Sequence, residues 1–122
     1  SLRTVGENAA DLAAMRAVLT RATDAADAHL ARERPGDEDE ALRRSAQAFA
    51  EVQQAKAVVD RLGPAVVDRT LAISGGGGYL TASPLAKAYR DVRAGPFMHP
   101  LGANRATRLL GEVALGQAPT MA

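Results

Sequence analysis

From Glu40 to Ser74 the chain keeps one apolar period, and four consecutive glycines, Gly75 to Gly78, then stop it. Leu42, Ala46, Phe49, Val52, Ala55, Val59, Leu62, Val66 and Leu71 recur at three- and four-residue steps, the period of one helix face. Each glycine costs about 1 kcal/mol relative to alanine inside a helix, so no helix crosses four of them. The run carries no Cβ atoms, which leaves its backbone N–H groups open to close approach. Two readings follow: a loop that takes a phosphate or pyrophosphate against those groups, or a plain flexible connection. The spacing matches neither GxGxxG after a strand nor a P-loop closed by Lys-Ser or Lys-Thr.

Within this helix Gly63-Pro64 predicts a kink or a split, because proline removes one backbone hydrogen bond and crowds the preceding turn. The apolar period resumes at Val66, Val67 and Leu71, which favours bending over termination. An earlier helix is predicted from about Val5 to Glu33, with Leu12, Met15, Leu19, Ala22, Ala26 and Leu30 on its buried face and Thr4 or Asn8 as its cap. Pro35-Gly36 ends it. The acids Glu38-Asp39-Glu40 read as a solvated helix start, where the macrodipole favours negative charge, and not as a metal site. Ser83-Pro84 has the form of an N-cap followed by proline at the first helical position, opening a short helix to about Val92. Residues 94–102 hold two prolines and two glycines around Phe97-Met98-His99 and read as an irregular loop. Asn104 is expected to cap a last helix that buries Leu109, Leu110, Val113 and Leu115 and ends near Gly116.

No segment alternates as a half-buried strand does. The expected fold is therefore all-α: an antiparallel up-and-down helical bundle of three main helices and one short one, in a single domain over residues 1–122. The first two helices, at ~29 and ~35 residues, would be ~43 and ~52 Å long, more than a compact bundle of this mass needs. Oligomerisation is expected on that ground. Only 3% of the 122 residues are aromatic and much of the apolar fraction is alanine, so the helices pack closely while each side chain buries little area. A formal charge of +1 from 15 basic and 14 acidic residues gives no field for nucleic acid or an anionic membrane. Arg43, Arg44, Lys56 and Arg61 are interleaved with acids and read as a solvated face. Cysteine is absent, which excludes disulfides and thiolate chemistry and leaves the cytoplasm as the default compartment. Two distant histidines, His29 on the first helix surface and His99, give no metal site. No nucleophile elbow supports a hydrolase triad built on Ser74 or Ser83. No apolar run reaches the ~20 residues of a membrane span.

The combination Gly-Gly-x-Gly-Tyr at the end of a long helix, followed by Ser-Pro-Leu-Ala-x-Ala-Tyr-Arg-Asp-Val-Arg, resembles the C-terminal helical domain of the acyl-CoA dehydrogenase family. The resemblance runs from about Asp11 to Gly116, with its specific part at Thr70 to Arg93. It implies the last three helices of a four-helix bundle, with the first helix and two earlier domains before Ser1, and a start at Ser1-Leu2 without methionine agrees with a fragment. It further implies an FAD whose adenosine-pyrophosphate part is approached by Gly75, Gly76, Gly77 and Gly78 of the neighbouring subunit of a homodimer or tetramer. Arg90 and Asp91 match the family's Arg-Asp pair, which is read as structural, a short-range contact tying the loop to the last helix.

Two departures bear on the chemistry. Many members carry glutamine three residues before the first glycine, and here that position is Ala72. Many place a catalytic base in a Tyr-Glu-Gly-Thr stretch after the Arg-Asp pair, and here the stretch is Met98-His99-Pro100-Leu101. No Asp or Glu occurs between Asp91 and Glu112. Removing the α-proton of an acyl-CoA while a β-hydride passes to flavin needs such a base. Either the base sits on an earlier helix, or His99 takes its place in the flavin monooxygenase branch of the fold, or this subunit is not catalytic. The resemblance thus implies α,β-dehydrogenation of acyl-CoA thioesters first. A flavin-dependent monooxygenase with His99 near the flavin is second, and a non-catalytic helical interaction module third. The isolated domain is expected to be inactive.

Overall fold

The computed structural model describes residues 1–98 and 102–119. Four α-helices are found among them: α1 over Leu2–Ala31, α2 over Glu38–Ser74, α3 over Pro84–Ala94 and α4 over Ala103–Ala114, with no strand among the described residues. The all-α expectation holds.

α2 is the organising element because its 37 residues, ~56 Å at 1.5 Å per residue, give every other helix a surface to pack on. It begins two residues earlier than the periodicity predicts. Asp37 caps it by accepting from the Asp39 N–H at 3.2 Å, and Glu38, Asp39 and Glu40 fill its first turn, where carboxylates meet the positive end of the dipole. It also passes through Gly63-Pro64 as one continuous helix. Pro64 withdraws only its own N–H, the donor that Asp60's carbonyl would otherwise receive. Gly63 is buried, and a Cβ there would meet Val92 Cγ1 of α3 at 3.7 Å, an ordinary contact, so helix packing spans the proline on both sides.

α1 starts earlier than expected, at Leu2. Ser1, rather than Thr4 or Asn8, caps it, with Ser1 Oγ accepting from the Thr4 N–H at 3.2 Å. It runs antiparallel to α2. Near its start, Arg69 of α2 donates to Asp11 Oδ2 at 2.7 Å and to Asn8 Oδ1 at 3.2 Å, while Asn8 Nδ2 donates to Thr70 Oγ1 at 3.2 Å. Further along, Arg21 donates to both carboxylate oxygens of Glu51 at 3.1 and 3.3 Å. α3 keeps its expected cap, Ser83 Oγ accepting from the Leu85 N–H at 3.2 Å with Pro84 at the first turn. Asn104 does not cap α4; backbone at Gly102 does, without a side-chain bond.

The core is narrow and mostly alanine. Ala50 of α2 meets Ala106 and Leu109 of α4, flanked by Phe49, Leu110 and Val113, and Leu109 is 1% exposed. α1 contributes Met15 and Ala22. Several residues expected in the core are exposed instead: Leu12, Leu19, Leu30, Leu42 and Val52. α1 packs along α2 and makes no extended contact with α3 or α4, so one line of its face is covered and the leucines beside that line are not. His29, expected on the surface, is half-buried. No described helix is long and apolar enough to cross a membrane.

Candidate functional site

Gly75 closes α2 in the left-handed region at φ 73°, where an L side chain is strained, and its N–H donates to Leu71 O at 3.2 Å. The next four residues, Gly76–Tyr79, are one 3-10 turn. Gly78 N–H donates to Gly75 O at 3.2 Å and Leu80 N–H to Gly77 O at 3.3 Å, so the run is an ordered turn and not a plain flexible connection.

The four glycines are not equivalent. Gly78 is buried, and a Cβ there would run into Ser74 Oγ and lie 2.9 Å from Leu71 Cδ2. Ser74 is itself fixed by donating to Leu71 O at 2.9 Å. Gly76 and Gly77 face the other way: a Cβ at either meets nothing within 4 Å, and neither N–H has a partner among the described residues. Gly78 thus seats the turn on α2, while Gly76 and Gly77 present two adjacent donors to solvent beside the exposed Tyr79 and Ile73. Ala72 is exposed as well and offers no polar group.

α3 carries the other sequence-selected residues. Asp91 pairs with Lys87 one turn earlier, both exposed, an ion pair within α3. Such a pair contributes at most about 1 kcal/mol. Arg90 is exposed. Arg93 lies over the Phe97 ring, 5.7 Å from its centroid. The glycine turn and the residues after α3 sit at opposite ends of its 11 residues, ~16 Å apart along the axis. His99 lies outside the described residues.

A second 3-10 turn, Gly95–Phe97, follows α3, and the structure shows there what the sequence reading missed. Lys56 is not on a solvated face. Its Nζ donates to Asp60 Oδ2 at 2.6 Å and to Gly95 O at 2.9 Å, with the two side chains 19% and 11% exposed. Gly95 O also accepts from the Met98 N–H at 3.1 Å. A Cβ on Gly95 would collide with Asp60 Oδ1. Gln53, 3% exposed, completes a row with Lys56, Asp60 and Gly63 at three- and four-residue steps, and its Oε1 has no partner among the described residues. That polar row at helical period was the available signal, masked by reading each charge on its own.

Among the described residues no group of three or more His, Asp or Glu side chains could hold a metal ion. A groove of about 1230 Å³ lies between the start of α2 and the residues after α4, at the opposite end of α2 from the glycines. For a flavin diphosphate, the fitting feature is the pair of free N–H groups at Gly76 and Gly77, unobstructed by side chains.

Comparison with known proteins agrees with this architecture. The family described as acyl-CoA dehydrogenase, C-terminal domain, matches residues 3–99. The chain is 46% identical over 100 residues to L-evernosamine nitrososynthase of a Micromonospora species, covering 82% of this chain and 22% of that protein. It is 51% identical over 65 residues to the amino sugar nitrososynthase DnmZ of Streptomyces peucetius, covering 53% of this chain and 16% of that protein. The amino sugar nitrososynthase RubN8 of Streptomyces rubradiris is 48% identical over 64 residues, covering 52% of this chain and 14% of that protein. The chain therefore spans between 14% and 22% of the length of these curated relatives. No solved structure gives a significant match.

Proposed function

We propose, since the chain belongs to the acyl-CoA dehydrogenase family as its C-terminal domain, that it serves a flavin-dependent enzyme that oxidises the amino nitrogen of an amino sugar. One observation carries this reading: no carboxylate occurs between Asp91 and Glu112, where dehydrogenation calls for a base. Breaking an α-C–H bond requires a group to take the proton. Oxidising an amine does not, because the nitrogen lone pair is the nucleophile and the N–H protons are labile in water. The similarity to two amino sugar nitrososynthases and an L-evernosamine nitrososynthase supports the same choice.

In this reading the cofactor is FAD, and when bound it supplies the electron transfer and oxygen activation. The chain's own contribution is binding and orientation. Gly76 and Gly77 donate N–H groups to a pyrophosphate held mainly by a neighbouring subunit, and Gly78 keeps that turn against α2. α,β-Dehydrogenation of an acyl-CoA remains the second reading, favoured by the family match, with its base on another part of the protein.

The test uses the protein carrying this domain, reconstituted with FAD. Given oxygen, a source of reduced flavin and an amino sugar, it should yield products whose mass records oxygen gained at nitrogen. Turnover of a saturated acyl-CoA with an artificial electron acceptor, with no product from the amino sugar, would replace this reading with the second. A protein that stays colourless and retains no FAD would remove both.

A further inference from the structure

Tyr79 ends the 3-10 turn Gly76–Tyr79 and is 74% exposed. The chain has four aromatic residues, and the other three have a place: Phe49 packs on the core, Phe97 lies under the Arg93 guanidinium and Tyr89 is 38% exposed. Among the described residues Tyr79 has no hydrogen bond and no cation over its ring. Its backbone is nevertheless fixed on both sides. Gly78 N–H donates to Gly75 O at 3.2 Å, Leu80 N–H to Gly77 O at 3.3 Å and Ser83 N–H to Leu80 O at 2.8 Å. A 3-10 helix has three residues per turn and rises about 2 Å per residue, so positions 76 and 79 fall on one side, about 6 Å apart along the axis. Tyr79 therefore shares a side with the bare backbone of Gly76, while Gly78, a third of a turn away, is seated on α2. Ile73 and Leu80, exposed before and after the turn, add apolar surface there.

An aromatic ring within one turn of two open backbone N–H groups suits a nucleotide, whose phosphates meet the N–H groups while its flat base meets the ring. We infer that Tyr79 stacks on the adenine of FAD, so that this chain reads the adenosine half of the cofactor and favours the dinucleotide over FMN. The inference rests on the reading in which Gly76 and Gly77 face the pyrophosphate. Tyr79 suits the task because a fused heteroaromatic base has two apolar faces, and the ring is ordered by fixing only two side-chain torsions.

The test strips flavin from the protein carrying this domain and titrates the unaltered form, Tyr79→Phe and Tyr79→Ala with FAD, FMN and ADP, reading Kd by calorimetry. Base–ring stacking predicts that Tyr79→Ala weakens FAD and ADP by a common factor, about fivefold to a hundredfold, and leaves FMN unmoved. Tyr79→Phe keeps the ring and should bind all three as the unaltered protein does. Equal weakening of FMN and FAD would overturn the inference, because FMN carries no adenine and such a loss reports the fold or the flavin end. FAD and ADP bound by Tyr79→Ala as tightly as by the unaltered protein would overturn it too, and would leave the proposed function standing. An unaltered protein that binds neither FAD nor ADP would bring down the proposed function and this inference together.

Discussion

Alanine substitutions along the glycine run should separate by position, and the geometry sets their order. At Gly78 the added methyl would sit 2.9 Å from Leu71 Cδ2, inside the ~3.5–4.0 Å of a normal carbon contact, and would also strike Ser74 Oγ. Neither neighbour can retreat freely, since Leu71 is 4% exposed and Ser74 is tied to Leu71 O. Overpacking of this kind costs about 1–3 kcal/mol, offset by about 0.4–1 kcal/mol from the stiffer unfolded chain, for a net loss of up to about 2.6 kcal/mol, centred on ~1.3 kcal/mol. Gly75→Ala meets no atom but forces a methyl into φ 73°, a cost of about 1–2 kcal/mol before the same offset. Gly76→Ala and Gly77→Ala meet nothing and have ordinary φ, so they should be neutral or stabilising by up to about 1 kcal/mol. Urea unfolding followed by far-ultraviolet circular dichroism reads all four, with constant slope showing that only stability changed. Equal losses at Gly76 and Gly78 would refute the assignment of one glycine to seating and the other to presentation.

Four further outcomes follow. Gly76→Leu should leave the unfolding midpoint nearly unchanged and weaken FAD retention, measured by ultrafiltration and absorbance; intact retention removes the pyrophosphate role. Leu109→Ala should cost about 2–5 kcal/mol because that side chain is 1% exposed, whereas Leu30→Ala, at 81% exposure, should stay within about 0.5 kcal/mol. Ser83→Ala should cost about 1 kcal/mol through loss of the α3 cap, with circular dichroism showing the lowered midpoint. A double-mutant cycle on Arg69 and Asp11 should return a coupling of about 1 kcal/mol or less, because the side chains are 30% and 23% exposed and partly screened by water.

The helices were legible in the sequence because the apolar period of α2 and the Ser83-Pro84 start each state one local preference without contradiction. Where local rules tied, the sequence could not decide. Ser1, Thr4 and Asn8 are all acceptable caps, and Asn104 is a better cap by residue type than Gly102, yet backbone path selected Ser1 and Gly102. The exposure of Leu12 and Leu19 follows from how many neighbours α1 has, a property of the whole assembly that no window of residues contains. At the site, the glycine run was visible as an open turn, while the division between Gly78 and its neighbours depends on Ser74 and Leu71 folding back under it. Lys56 was hidden for a similar reason. Its partner carbonyl belongs to Gly95, and a backbone oxygen leaves no mark in a sequence.

Because α1, α3 and α4 each lean on α2 and make no extended contact with one another, α2 behaves as a common shaft. Changes on α1 and on α4 should combine additively, and each flanking helix is free to diverge in sequence without a matching change in the others. Over generations, that freedom would show as three lineages of variation hung on one conserved rod. It also gives the two ends of α3 one mechanical route to the rest of the molecule, so a twist or shift in α2 would reach the glycine turn and the Gly95 carbonyl together.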